Sequence, residues 1–306
     1  MSIRRFPYGS YNKMNPQAQK VKVFFRTAVA LSILGTVLYT LAHLLATDDS
    51  GYFTAGHSLP LLAGILSFVS VLWFACALFL IPKSTLPTED FASRKPTLSV
   101  ASMAPVIGSL AAALICFTAR SAQGTVGLCA KLGLFTAVAS VAYFLLRLFG
   151  CDNLRALLTA FGIAPILLAA ALCGVTYFDQ STYMNSPIKI GFQLAFITMM
   201  LFMTGEIRFT VDAAQPRRYL ATACIALYAN AVASIPQAVY LFKGDTSSYA
   251  NLAFAVLCLG NCLYVGCRLY QFTKFCATPI SKAPATEDAQ DSPDQIQGKD
   301  TCDGCQ

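Results

Sequence analysis

The chain has 306 residues, 56% of them hydrophobic and 12% charged, with a formal net charge of +7 and a mean hydropathy of +0.58. A soluble domain carries about 25% charged residues, so lipid is the simplest solvent for this exterior. The positive balance does not indicate a nucleic acid partner, because the charges sit in short connections and at the ends, not on one soluble face.

Residues 1–23 are polar and basic, with Arg4, Arg5, Lys13, Lys20 and Lys22. This segment is too long for a typical signal-peptide leader. The apolar run after it, Phe24–Ala46, exceeds a signal-peptide core and lacks a clean small-x-small cleavage site, so it predicts an uncleaved first membrane helix. Seven further runs follow, at Leu59–Ile81, Leu98–Thr118, Val126–Phe149, Ala156–Phe178, Pro187–Phe209, Tyr219–Leu241 and Tyr249–Phe272. Each of the eight has 21–24 residues. At ~1.5 Å rise, about 20 residues cross a hydrocarbon core of about 30 Å. Strands of a membrane barrel are about half as long and alternate in polarity, so a barrel is excluded. The expected fold is an all-α transmembrane bundle of eight spans across residues 24–272. The remainder, 273–306, is rich in Asp, Gln, Pro, Thr and Ala and reads as a disordered acidic cytosolic tail.

Lys and Arg set the orientation. With the N-terminus inside, 18 of the 22 fall on inside segments, and only Arg120, Lys131, Lys189 and Lys243 fall outside. This bias predicts that both termini are cytosolic. Reporter fusions after Lys83, Asp152, Ala214 and Lys282 should report cytosol, and those after Ser50 and Ser181 the exterior. Four helices per half would also permit a 4+4 parallel repeat. The fourth run ends Tyr143-x-x-x-Arg147-Leu-Phe and the eighth ends Tyr264-x-x-x-Arg268-Leu-Tyr. Aromatic and Arg residues also gather at cytosolic helix ends without any repeat.

Twelve cysteines are present, nine of them between Cys76 and Cys267 in or beside apolar runs. There they act as small hydrophobes, and no disulfide framework is expected. Cys302 and Cys305 form a C-D-G-C close to the C-terminus, without a second pair to complete a zinc site.

The most polar adjacent runs are the sixth and seventh. They hold Gln193, Glu206, Asn230 and Gln237, and the eighth adds Asn261. Counted from the outer helix ends, Gln193, Asn230 and Asn261 lie at depths of about 9, 17 and 18 Å. Ala226, Asn230, Ser234 and Gln237 form one small-polar stripe, with Pro236 interrupting the backbone ladder beside it. Gln193, Asn230, Gln237 and Asn261 are therefore candidates to line a ligand site for a small uncharged or zwitterionic molecule. Interhelical hydrogen bonding explains the same residues.

Glu206 is the only acid within an apolar run. It lies ~28 Å along its helix, near the cytosolic boundary. It is expected either to reach water there or to pair with Arg147 or Arg268 in a cytosolic-side charge cluster. Arg208 is expected to pair with Asp212. Neither Met199, Met200 and Met203 nor Asp48, Asp49 and His57 makes a convincing metal site. Lys131 should snorkel to headgroups.

The chain contains no Walker A, H-E-x-x-H, G-x-S-x-G or EF-hand motif, and only His43 and His57. No enzyme activity, cofactor or metal is expected. Three readings of function remain. The first is a small-solute transporter, or a membrane subunit of a transport system, with its site among runs six to eight. The second is a membrane sensor or scaffold that meets a membrane or cytosolic protein partner through its cytosolic face and tail. The third is an intramembrane lipid-modifying enzyme, against which the missing motifs weigh. The bilayer is the one partner every reading shares, and the plasma membrane is the expected location.

Overall fold

The computed structural model describes residues 16–48, 52–82, 86, 96–149, 154–180, 185–243 and 249–277. The N-terminal basic segment before residue 16, Asp49, and the tail with Cys302 and Cys305 lie outside the described residues. Those described are helical, apart from connections and one isolated bridge between Thr47 and Phe53. The helices are α1 (Pro16–Leu45), α2 (Ser58–Ala75), α3 (Ala77–Leu80), α4 (Pro96–Ala119) and α5 (Gly124–Leu148). They continue with α6 (Arg155–Phe178), α7 (Pro187–Thr210), α8 (Pro216–Lys243) and α9 (Tyr249–Ala277). With α2 and α3 joined through a turn at Cys76, eight spans among the described residues are long and apolar enough to cross a membrane. The protein is a multi-pass integral membrane protein.

Two helices outrun their apolar segments. α1 starts at Pro16 because Ala18, Val21, Phe24 and Ala28 continue one buried face along its basic first turns. α9 continues to Ala277, its last turns carrying buried Gln271, Phe272 and Thr273. Hydropathy marks only the part of a helix at lipid depth, whereas tertiary packing also holds the amphipathic ends.

The packing has a simple plan. Helices α4 to α9 form a closed ring in chain order, each packed on the next, with α9 returning onto α4. Outside the ring, α1 packs on α8 and α9, and α2 packs on α1. The span of α8 is consequently 72% buried and that of α2 only 22%. The exposed residues of α2, such as Leu61, Ile65, Phe68 and Leu72, are suited to lipid.

Specific contacts hold the layers. Trp73 Nε1 donates to Thr27 Oγ1 at 2.9 Å, and its ring stacks on Phe24 at 5.2 Å. Ser67 Oγ bonds Tyr39 at 3.1 Å and Tyr228 at 2.8 Å, tying α1, α2 and α8 together. Arg217 donates to the carbonyls of Leu78 and Ile81, and Lys20 to that of Leu80. These cations satisfy orphan carbonyls where the second span ends. The seam that closes the ring depends on two glycines. A Cβ on Gly260 of α9 would lie 2.6 Å from the Ala104 carbonyl oxygen, and one on Gly108 of α4 would lie 2.8 Å from Leu257 Cα. Only glycine lets these backbones approach so closely.

Candidate functional site along the ring axis

The axis of the ring is built by two parallel stripes that face each other. On α7 the stripe is Lys189, Phe192, Phe196, Met199, Phe202 and Glu206, spaced by three or four residues so that all share one helical face. On α9 it is Asn251, Phe254, Leu257, Asn261, Tyr264 and Arg268. The two meet in register: Phe192 with Phe254 at 5.6 Å between rings, Phe202 with Tyr264 at 6.3 Å, and Glu206 with Arg268. Each of these partners is 62 residues further along the chain. From Lys189 to Glu206 the α7 stripe spans about 26 Å at 1.5 Å per residue.

At the end carrying the α7 N-terminus, the ring opens into a cavity of about 310 Å³. Its polar lining includes Lys189, Asp179, Asn251, Thr118 and Thr176, and its apolar lining includes Phe192 and Phe254. Ser186 caps α7 by accepting from the Lys189 N–H. Lys189 is 4% exposed, and its Nζ donates to the backbone carbonyl of Asp179 at 2.6 Å, just past the end of α6.

Below this cavity, Phe192, Phe196 and Phe254 pack mutually, with centroids 5.6–6.3 Å apart, and form an aromatic partition. Next comes a void of about 10 Å³ bounded by Ser109, Phe144, Pro165, Met199 and Asn261, space for a single water. Ser109 Oγ is buried without a hydrogen-bond partner. A second aromatic layer follows, with Tyr264 edge-on to Phe144 at 5.2 Å and to Phe202.

The far end is filled. Glu206 and Arg268 are both fully buried. Arg268 Nε donates to the two carboxylate oxygens at 3.0 and 2.9 Å, and one Nη lies 2.8 Å from Oε2. The Tyr219 hydroxyl donates to the same carboxylate, and Arg268 also donates to Gln271 Oε1 at 3.3 Å. Charge-assisted bonds of this kind are what make a buried carboxylate tolerable. Phe202, Phe209 and Phe272 pack around the Tyr219 ring and exclude water. Arg147, 2% exposed, donates through Nε to Tyr143 at 3.4 Å, in the aromatic group that holds Phe144 and Tyr264. The similar ends of the fourth and eighth spans therefore lie in one layer.

Of the two alternatives for Glu206, it meets Arg268 and not boundary water: its helix continues to Thr210, and the aromatic side chains of α8 and α9 cover it. Asp212 takes a left-handed backbone (φ 56°) and pairs with Arg155 at 3.6 Å instead of with Arg208. Both partners of that pair are largely exposed, so it adds little stability.

No hydrogen bond joins any two of Gln193, Asn230, Gln237 and Asn261. Asn261 lines the axial void. Asn230 sits in the α7–α8 seam, where its Nδ2 donates to Ala226 O at 2.9 Å and approaches Ala195 O at 3.5 Å. Gln237 meets His43 of α1 at 3.5 Å, and Gln193 is only half-buried. Met199 and Met203 are buried core side chains. His57 caps α2 by accepting from the Leu59 N–H, and Asp48 accepts from the Tyr52 N–H. Lys131 is exposed. The nine described cysteines are free thiols, and among the described residues no three His, Cys, Asp or Glu side chains gather as metal ligands would. The sequence reading did not single out Lys189, Asp179, Ser109 or the phenylalanines for the axis. The three-and-four spacing back from Glu206 was the available signal.

Comparison of the chain with protein-family models, curated proteins and solved structures found no match.

Proposed function

We propose that the protein is a small-solute transporter, or the membrane subunit of a transport system, and not an enzyme. The observation that carries this reading is the asymmetry of the ring axis. One end opens into a cavity of about 310 Å³, and the other is closed by the buried Glu206–Arg268 pair. Between them lie two aromatic partitions and a water-sized void with Ser109 and Asn261. Alternating access requires such an arrangement: a vestibule, a layered barrier and a closed far gate held by contacts that can be exchanged. With the orientation given by Lys and Arg, and the plasma membrane as location, the cavity opens to the exterior and the ion pair closes the cytosolic end.

The test is thiol accessibility in sealed membranes. Cysteines introduced at Thr176, Met199 and Phe272 are reacted with an impermeant maleimide from either side, and the sites are read by mass spectrometry. Position 176 should label from the cavity side in the parent protein. Position 272 should stay unreacted there and become reactive from the opposite side when Glu206→Gln weakens the pair. If positions 199 and 272 remain closed from both sides in every variant that folds, the bundle is solid and the transport reading fails.

A further inference from the structure

We infer that the open end of the ring is a binding site for small zwitterions with an apolar side chain, of the size and chemistry of a neutral amino acid. The inference rests on the transport reading for what happens to the ligand afterwards, but not for its binding. A volume of about 310 Å³ falls at the lower end of the range for small-molecule sites, roughly 300–1,000 Å³.

Among the described residues the lining contains one cation, Lys189, and one acid, Asp179. They belong to adjacent walls, because the Lys189 ammonium donates to the backbone carbonyl of Asp179 itself. The terminal carbonyl of α6 is already held by the Lys189 ammonium, and the first turn of α7 is capped by Ser186, so the two side-chain charges set the polarity of the mouth. A bound ammonium is therefore favoured beside the Asp179 carboxylate, and a bound carboxylate beside Lys189. A ligand of single charge satisfies one wall and meets a like charge on the other. A zwitterion satisfies both and adds no net charge to a site set in a membrane protein. Phe192 and Phe254 meet edge to face in the same lining and offer an apolar surface to a compact hydrocarbon side chain. Thr118, Thr176 and Asn251 complete the lining with neutral polar groups.

Three probes of similar body separate the alternatives: L-valine as the zwitterion, L-valinol as the cation and isovalerate as the anion. Binding to the purified full-length protein in detergent is measured by calorimetry and by melting temperature. L-valine should bind saturably and raise the melting temperature, with valinol and isovalerate weaker by about tenfold or more. Lys189→Gln should weaken L-valine and leave valinol unchanged. Asp179→Asn should weaken both L-valine and valinol. The comparison of probes on the unaltered protein needs neither variant to fold. Equal binding of isovalerate or valinol, or no saturable response to L-valine, overturns the inference. Uptake into proteoliposomes is measured separately. Binding of L-valine without uptake keeps the site and sinks transport, whereas uptake of isovalerate without L-valine binding sinks the site and keeps transport.

Discussion

At each end of the six-helix ring a cation and an acid stand beside the axis, with buried Arg147 as a further cation in the closed layer, and the surroundings treat the two ends oppositely. At one end Lys189 and Asp179 border an open cavity among small neighbours such as Ala119, Val126 and Ala250. At the other, Arg268 and Glu206 are pressed together with no exposure, under Tyr219, Phe209 and Phe272. A charge within a membrane protein needs either water or a partner with good geometry. Small residues leave an open space beside Lys189, whose ammonium is bonded to the Asp179 carbonyl, and large aromatics close the space around Glu206 and Arg268. The same pairing of charges thus gives an accessible site at one end and a closed gate at the other.

The contrast breaks most severely if the closed pair loses a member. Arg268→Leu leaves the Glu206 carboxylate buried with Tyr219 alone, and should destabilise the protein by about 3–5 kcal/mol in a detergent melt. Glu206→Gln keeps part of the contact and should lower the melting temperature less than Glu206→Leu does. The double variant Glu206→Leu/Arg268→Leu should recover much of the loss. Unchanged melting temperatures across this set would mean that the pair does not hold the closed end.

Tyr219→Phe removes the hydroxyl that donates to Glu206 while keeping the ring against Phe209 and Phe272. A hydrogen bond to a charged group contributes about 1.5–3 kcal/mol, and a loss of that size is expected. The next change acts on the seam that holds both ends in one ring. Gly260→Ala sets a methyl 2.6 Å from a backbone oxygen of α4, at an expected cost of about 1–3 kcal/mol. Gly191→Ala is the control, since its Cβ meets only the end of the Gln237 side chain at 3.4 Å. It should change stability by less than about 0.5 kcal/mol. If both alanines cost the same, the α4–α9 approach is not the constraint argued here.

The smallest expected effect separates two asparagines that look alike in sequence. Asn230→Leu loses a helix-seam bond and should cost about 0.6–1.7 kcal/mol. Asn261→Leu faces the axial void, gives up no bond to another side chain, and should be close to neutral in stability while altering any solute flux. The reverse ranking in thermal melts and flux would place the functional polar group in the α7–α8 seam.

Length and apolarity of the runs were sufficient for the number of spans, because crossing a bilayer is a local requirement met by each helix separately. The lone acid in an apolar run also announced itself, since insertion penalises Glu206 wherever it lies, and basic partners on other helices were few. What the chain alone did not disclose was which polar residues share a space. Gln193, Asn230, Gln237 and Asn261 share the same amide chemistry, yet one lines the axis, two occupy seams and one is half-exposed. Depth follows from counting residues, but facing depends on how each helix is rotated within the ring. That rotation is decided by contacts between distant segments: the Gly108 and Gly260 approach, the aromatic layers, and the register that brings Glu206 to Arg268. The open vestibule is the clearest case. It is space left between five helices, and no single helix carries a sign of it.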